Sequence, residues 1–111
     1  MRENASVKLL RTTAGWISTA DWASIATLKE AVGSIPVLGN GDVFEGEDGP
    51  RMMRETGCDG VVVGRGVLGR PWLFADLEAA FAGRPERVRP GLREVGAAMI
   101  RHAELLVDFF G

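Results

Sequence analysis

Residues 35–44, IPVLGNGDVF, decide the fold of this chain. An apolar run at residues 35–38 passes directly into Gly-Asn-Gly-Asp. Four consecutive apolar residues are too few and too uniform for a surface helix, and they are typical of a buried strand in a parallel sheet. Glycines at a strand end permit positive φ and let a ligand approach bare backbone amides. The segment therefore predicts a buried strand, followed by a turn whose backbone a ligand can approach closely.

A second segment repeats this design about twenty-five residues later. Residues 60–63, GVVV, predict another buried strand, and Gly64, Arg65 and Gly66 follow it. The carboxyl ends of neighbouring parallel strands meet at one edge of a sheet, so the two turns should offer backbone N–H donors to one phosphate, with the Arg65 guanidinium beside them. In (β/α)8 barrels such a cradle lies near a short extra helix, for which residues 67–69 are the candidate. Each glycine pair alone is equally consistent with an ordinary tight turn.

Helical periodicity surrounds both strands. One helix is expected from Thr19 to a stop at Gly33, a second over residues 50–57, a third from Pro71 to about Gly83, and a fourth over about residues 90–110. The last helix carries a stripe of apolar residues: Leu92, Val95, Met99, Leu106 and Phe109. The alternation of helices and strands indicates a parallel α/β protein. Two strands cannot cover both faces of such a sheet, so we expect part of a larger sheet or barrel.

Composition narrows the possible functions. The 111 residues are 46% apolar and 25% charged, as in an ordinary globular domain. No stretch is long enough to cross a bilayer, and no signal-peptide core is present, so a cytoplasmic protein is expected. One cysteine, Cys58, and one histidine, His102, exclude an intrachain disulfide and are too few for a zinc site.

Charge is distributed unevenly along the chain. The net charge is −2, yet residues 51–101 hold nine arginines and six acids. Four of these arginines are close in sequence, namely Arg84, Arg87, Arg89 and Arg93. Such a cluster is either a solvated surface or a contact for the backbone of a nucleic acid, and the sequence leaves both interpretations open.

Four stretches within about residues 20–111 share a pattern with a known family: ADWASIATLKEAV, IPVLGNGDV, MMRETGCDGVVVGRGVLGRPWLF and RHAELLVDFFG. With these stretches, the chain resembles the C-terminal part of the tRNA-dihydrouridine synthases. It implies an α/β fold, the C-terminal part of a TIM (β/α)8 barrel followed by the first helix of an α-helical domain. Residues 20–83 would belong to the FMN-binding barrel, and residues 84–111 to the linker and the start of the helical tRNA-binding domain. Residues 1–19 depart from the family pattern, since Leu9 stands where a histidine is usual.

The resemblance also implies roles for individual residues. Gly39 and Gly66 would shape the two turns, while Pro71, Trp72, Leu73 and Phe74 would pack the following helix against the barrel. The residues that match the family's FMN phosphate and ribityl positions are Asn40, Gly41, Asp42, Gly64 and Arg65. For Asp42, a turn former that bonds its own backbone is an equally good interpretation.

In the family that the chain resembles, FMN is reduced by NADPH and passes hydride to a tRNA uracil, while a cysteine supplies the proton. Cys58 precedes the second strand and should lie at its amino end, whereas barrel active sites lie at the carboxyl ends. We therefore expect Cys58 to be a buried packing thiol, His102 to be structural, and the chain alone to be inactive.

Two alternatives stay open: a non-catalytic phosphate- or flavin-binding half-barrel that self-associates, needs a partner or is a truncated remnant, and a half-barrel of a phosphosugar-binding family.

Overall fold

The computed structural model describes residues 19–111, a mixed α/β arrangement. Its elements in chain order are α1 (Trp22–Val32), β1 (Leu38–Asn40), α2 (Asp48–Thr56), β2 (Gly60–Val62), a 3-10 turn (Arg65–Val67), α3 (Leu73–Phe81) and α4 (Leu92–Phe110). The predicted alternation of helices and strands is confirmed. Residues 1–18, which include nearly all of the predicted divergent segment, lie outside the described residues.

Helix α1 begins later than predicted because Asp21 caps it. The Asp21 carboxylate accepts hydrogen bonds from the Ala23 backbone N–H at 3.1 Å and from the Ser24 hydroxyl at 2.8 Å. An aspartate in this position satisfies amides that have no partner within the helix. The predicted stop is confirmed, since Gly33 adopts φ 61° and its N–H donates to the Lys29 carbonyl. The helix therefore starts at Trp22, three residues after the predicted Thr19.

Strands β1 and β2 form a parallel pair in which Leu38 is opposite Gly60 and Asn40 is opposite Val62. The predicted strand at residues 35–38 is wrong in its bounds, because the paired stretch starts only at Leu38 and Ile35 is 61% exposed. The backbone before Leu38 is held by hydrogen bonds to Asp59 instead of by pairing between strands. The Val37 N–H donates to the Asp59 carboxylate at 2.7 Å, and the Val37 carbonyl accepts from the Asp59 N–H.

The core lies on one face of this strand pair. Met52 and Leu73 are fully buried there, and the cluster is completed by Val37, Val43, Cys58 and Leu77. Gly39 permits this packing, since a Cβ at that position would lie 2.6 Å from the Met52 sulfur and 3.0 Å from that of Cys58. On the opposite face Leu38 and Val62 are 63% and 43% exposed. The helices thus cover one side of the strands and leave the other open.

Helix α2 starts at Asp48, two residues before the predicted Pro50, because the Asp48 carboxylate accepts from the N–H groups of Phe44 and Glu45. Gly57, with φ 72°, ends the helix as predicted. Its Arg51 guanidinium lies 4.8 Å from the ring centre of Trp22, which ties α2 to α1.

The linker between α3 and α4 folds back on the core. Asp76 is buried in the first turn of α3, and its carboxylate accepts from the Val88 N–H at 2.6 Å. Helix α4 begins at Leu92 and has no buried residue. Its predicted apolar stripe is mostly exposed, with Leu92 at 93% and Phe109 at 82%. The sheet and α1–α3 therefore form the packed unit, to which the linker is bonded.

Candidate phosphate- and cofactor-binding site

A cavity of about 420 Å³ opens at the carboxyl edge of the strand pair. The loops that follow β1 and β2 both contribute to its wall, as the sequence predicted from two glycine turns on adjacent strands. All five predicted site residues lie on this wall. Its lining residues are Ala20, Asn40, Gly41, Asp42, Val43, Phe44, Gly64, Arg65 and Gly66.

The loop after β1 is held in a left-handed conformation. Gly41 adopts φ 123° and Asp42 adopts φ 54°, and Asp42 is the single non-glycine residue with positive φ among residues 19–111. The Trp22 indole N–H donates to the Gly41 carbonyl at 2.9 Å. A Cβ on Gly41 would lie 2.3 Å from the Cβ of Ala20, so glycine is needed here for both conformation and space.

Asp42 bridges the two sides of the cavity. One carboxylate oxygen accepts from the Ala20 N–H at 2.6 Å, and the other lies 3.5 Å from the Arg65 guanidinium. The carboxylate thus bonds backbone 22 residues upstream, and the interpretation of Asp42 as a former of its own turn is not what the structure shows. Because its second oxygen faces Arg65, Asp42 also partly balances the positive charge of the cavity.

The loop after β2 supplies an open backbone and a close contact. Apart from the adjoining residues 63 and 65, no residue has an atom within 4 Å of the place where a Cβ on Gly64 would stand, so a ligand could approach this part of the main chain. A Cβ on Gly66 would lie 1.8 Å from the Val43 carbonyl oxygen. Gly66 therefore lets the two loops touch. The short helix predicted at residues 67–69 is instead the 3-10 turn Arg65–Val67, which starts immediately after Gly64.

Cys58 lies at the other end of the strands. Its side chain is 3% exposed, and it precedes β2 while the cavity follows it, so the predicted burial is confirmed. His102 is exposed on α4, where it borders a separate apolar groove with Trp72 and Met99. Neither residue lines the cavity.

The predicted packing role of residues 71–74 is confirmed only in part. Leu73 is fully buried and Trp72 half-buried, but Phe74 is 56% exposed and Pro71 is exposed too. The helical periodicity of α3 explains the difference. Leu73, Asp76 and Leu77 share the buried face of this helix, and Phe74 does not lie on it.

Sequence reasoning missed the contribution of residues at the start of α1. Ala20 lines the cavity and donates its N–H to Asp42, and Trp22 holds the Gly41 carbonyl. Helical periodicity alone places Trp22 on the apolar face of the first helix. Its indole N–H, which needs an acceptor when partly buried, was the available indication of a polar role.

The cavity fits a ligand that carries both phosphate and hydroxyl groups. Arg65 offers a guanidinium, Gly64 offers open backbone, and Asn40 and Asp42 offer acceptors. Within residues 19–111 no group of three or more acidic, histidine or cysteine side chains is placed to hold a metal ion. No helix in the same part of the chain has the length and apolar character needed to cross a membrane.

The fold and the cavity define an α/β protein with a glycine-lined concavity of the kind that phosphate-bearing ligands occupy. The sequence profile of the dihydrouridine synthase (Dus) family matches residues 11–111. The chain therefore belongs to the dihydrouridine synthase family.

Curated relatives support the same assignment. The probable tRNA-dihydrouridine synthase of Mycobacterium leprae (strain TN) is 57% identical over 109 residues, which cover 96% of this chain and 28% of the relative. That of Mycobacterium tuberculosis (strain CDC 1551 / Oshkosh) is 54% identical with the same coverage. A third, from Rhodobacter capsulatus, is 35% identical over 96 residues, or 86% of this chain and 29% of the relative. The chain thus spans just over a quarter of the length of these relatives.

The matches extend into the segment that the sequence analysis set apart. The family profile begins at residue 11, so residues 11–19 are family sequence, and the departure at Leu9 lies before the matched range. The division of the chain at residues 19 and 83 stays a prediction.

Proposed function

We propose that this chain is the C-terminal part of the FMN-binding (β/α)8 barrel of a tRNA-dihydrouridine synthase, joined to the first helix of its helical domain. The proposed reaction is the NADPH-driven reduction of uridine in tRNA to dihydrouridine. One observation carries the proposal: the loops after two adjacent parallel strands line a single cavity that contains Arg65 and open backbone at Gly64. The names of the relatives support tRNA as the substrate, and the proposal places the reaction in the cytoplasm.

The proposed FMN-binding residues are those on the cavity wall. Arg65 and the backbone at Gly41 and Gly64 would hold the phosphate, while Asn40 and Asp42 would accept bonds from ribityl hydroxyls. Asp42 also orients the Arg65 guanidinium through their 3.5 Å contact. When bound, FMN supplies the hydride for the reduction.

Catalysis by these 111 residues alone is not expected. A proton donor must reach the substrate, and the single cysteine, Cys58, is buried at the opposite end of the strands. We propose that the donor lies in the part of the relatives that this chain does not span. Incubation of the chain with FMN, NADPH and unmodified tRNA should give no dihydrouridine, and turnover by the chain alone would contradict this.

Flavin binding tests the assignment of the cavity. Quenching of FMN fluorescence should show binding by the chain, and Arg65→Gln should weaken it by about tenfold or more because a charged hydrogen-bond donor is lost. Arg93→Gln is the matched control, since it removes the same charge from an exposed site on α4. Equal loss in both variants, or no binding by the unchanged chain, would contradict the proposal.

A second candidate is a half-barrel that binds flavin without catalysis and associates with itself. The open face of the strands favours it, because Leu38 and Val62 are exposed there and both strand edges are unpaired within residues 19–111. Gel filtration should show oligomers in that case, and a sharp two-state melt of a monomer would count against it.

A further inference from the structure

A second cavity lies on the outer side of the fold, between α2, α3 and the linker. Its volume is about 250 Å³, and it shares no lining residue with the cavity at the strand ends. Three of its lining residues are arginines and one is a glutamate. The lining residues are Glu47, Pro50, Arg54, Ala80, Gly83, Arg84, Pro85 and Arg87.

Arg87 is fixed in place on this wall. Its guanidinium donates to the Glu47 carboxylate at 2.8 Å, and to the carbonyls of Arg84 and Glu86. The hydrogen bond from Arg87 lowers the pKa of Glu47, so this carboxylate stays ionised and neutralises one arginine. The linker thereby gains a defined position against the start of α2.

Arg54 and Arg84 remain available for a ligand. Both are exposed, and neither side chain forms a hydrogen bond or an ion pair with any other residue between 19 and 111. Three guanidinium groups and one carboxylate give the wall a net charge of +2. This positive cavity stands out in a chain whose net charge is −2.

We propose that this second cavity binds a backbone phosphate of RNA, with Arg54 and Arg84 as the contacting groups. The choice of RNA rests on the proposed function, because the proposed substrate is a polyanion whose repeated phosphates attract arginine side chains. Guanidinium groups suit phosphate because their donors form a planar fork. The structure also changes the cluster that the sequence predicted, since Arg87 is held by Glu47, Arg54 joins the site, and Arg89 and Arg93 do not line it.

The test is the salt dependence of binding to an unmodified tRNA transcript, followed by fluorescence anisotropy. The double variant Arg54→Gln/Arg84→Gln should lower the slope of log affinity against log salt by roughly 1.5, and each single variant should lower affinity about fivefold to tenfold near 0.1 M salt. Arg54→Lys/Arg84→Lys keeps the charge and should retain most of the slope. Arg89→Gln, which removes a neighbouring charge outside the cavity, should leave the slope unchanged.

Two outcomes would overturn the proposal. The first is an unchanged slope in the double glutamine variant, or no RNA binding by the unchanged chain. The second is an equal loss in Arg89→Gln, which would indicate a diffuse basic surface. FMN binding, measured in parallel, should be the same in all these variants. If the unchanged chain binds FMN but no RNA, this proposal fails while the proposed flavin site stands. If the unchanged chain binds RNA but no FMN, the flavin site fails while this proposal can still be tested.

Discussion

The two ends of the β1–β2 pair are built differently. At the amino end, the Asp59 carboxylate accepts from the Val37 N–H and pairs with Lys29 at 2.8 Å, and the Cys58 thiol is buried. At the carboxyl end, glycines and an exposed Asn40 surround a cavity.

The difference separates what folds the chain from what can bind a ligand. Side chains at the amino end satisfy backbone groups and fill space. At the carboxyl end the missing Cβ atoms leave backbone within reach, and that end contributes less burial to stability. Substitutions at the amino end should therefore change stability alone, and substitutions at the carboxyl end should change ligand binding as well as stability.

The largest effect is expected from Met52→Ala. Met52 is fully buried, with a relative exposure of 0%. Its truncation should therefore lower the free energy of unfolding by about 2–5 kcal/mol. Urea denaturation measures the loss. Met99→Ala, at a site that is 68% exposed, should stay within about 0.5 kcal/mol of the unchanged chain. Similar losses in the two variants would contradict the position of the core.

Gly66→Ala should damage the carboxyl end. The new Cβ would meet the Val43 carbonyl oxygen, so the loops must separate, at a cost of about 1–3 kcal/mol. FMN binding should be lost with it. The control is Gly96→Ala on α4, where a Cβ meets no atom within 4 Å and should stabilise the helix by about 1 kcal/mol. Unchanged FMN affinity in Gly66→Ala would mean that contact of the two loops is not required.

Two variants at Asp42 test whether its contacts with Ala20 and Arg65 stabilise the fold. Asp42→Ala leaves the Ala20 N–H without its acceptor and should cost about 1–2 kcal/mol. Asp42→Asn keeps an oxygen for that bond and should retain most of the stability. Equal destabilisation by both variants in thermal melts would show that the charge beside Arg65, and not the bond to Ala20, matters for folding.

The smallest effect concerns acid stability at the amino end. Hydrogen bonds from Lys29 and then from the Val37 N–H lower the pKa of Asp59 in the folded chain. The resulting stabilisation is complete above the ordinary aspartate pKa and is lost as pH falls through the lowered value. Asp59→Asn should therefore reduce stability at neutral pH and flatten the fall in stability that the unchanged chain shows below about pH 5. Glu30→Gln, at an exposed site on α1, should leave the pH profile unchanged, and an unchanged profile in Asp59→Asn would contradict the assignment.

Local chemistry explains what the sequence could predict. Gly33 and Gly57 end helices as expected, and the two glycine turns lie together because neighbouring parallel strands end at the same edge. The burial of Cys58 followed from its place before β2.

Contacts between distant residues account for what could not be predicted. The start of β1 depends on Asp59, which lies 22 residues after Val37, and the fixing of Arg87 depends on Glu47, 40 residues before it. Periodicity and turn propensities contain no information on such pairs. For the same reason the sequence grouped Arg87 with arginines that are free of that contact.

The backbone at position 42 has a consequence for the evolution of this loop. A φ of 54° favours glycine, asparagine or aspartate, while the Ala20 N–H needs a side-chain oxygen on a short stem. Glycine meets the first demand only, and serine or glutamate at best the second. Drift at this codon is therefore confined to an Asp/Asn exchange, unless a compensating change arises at the entrance to α1.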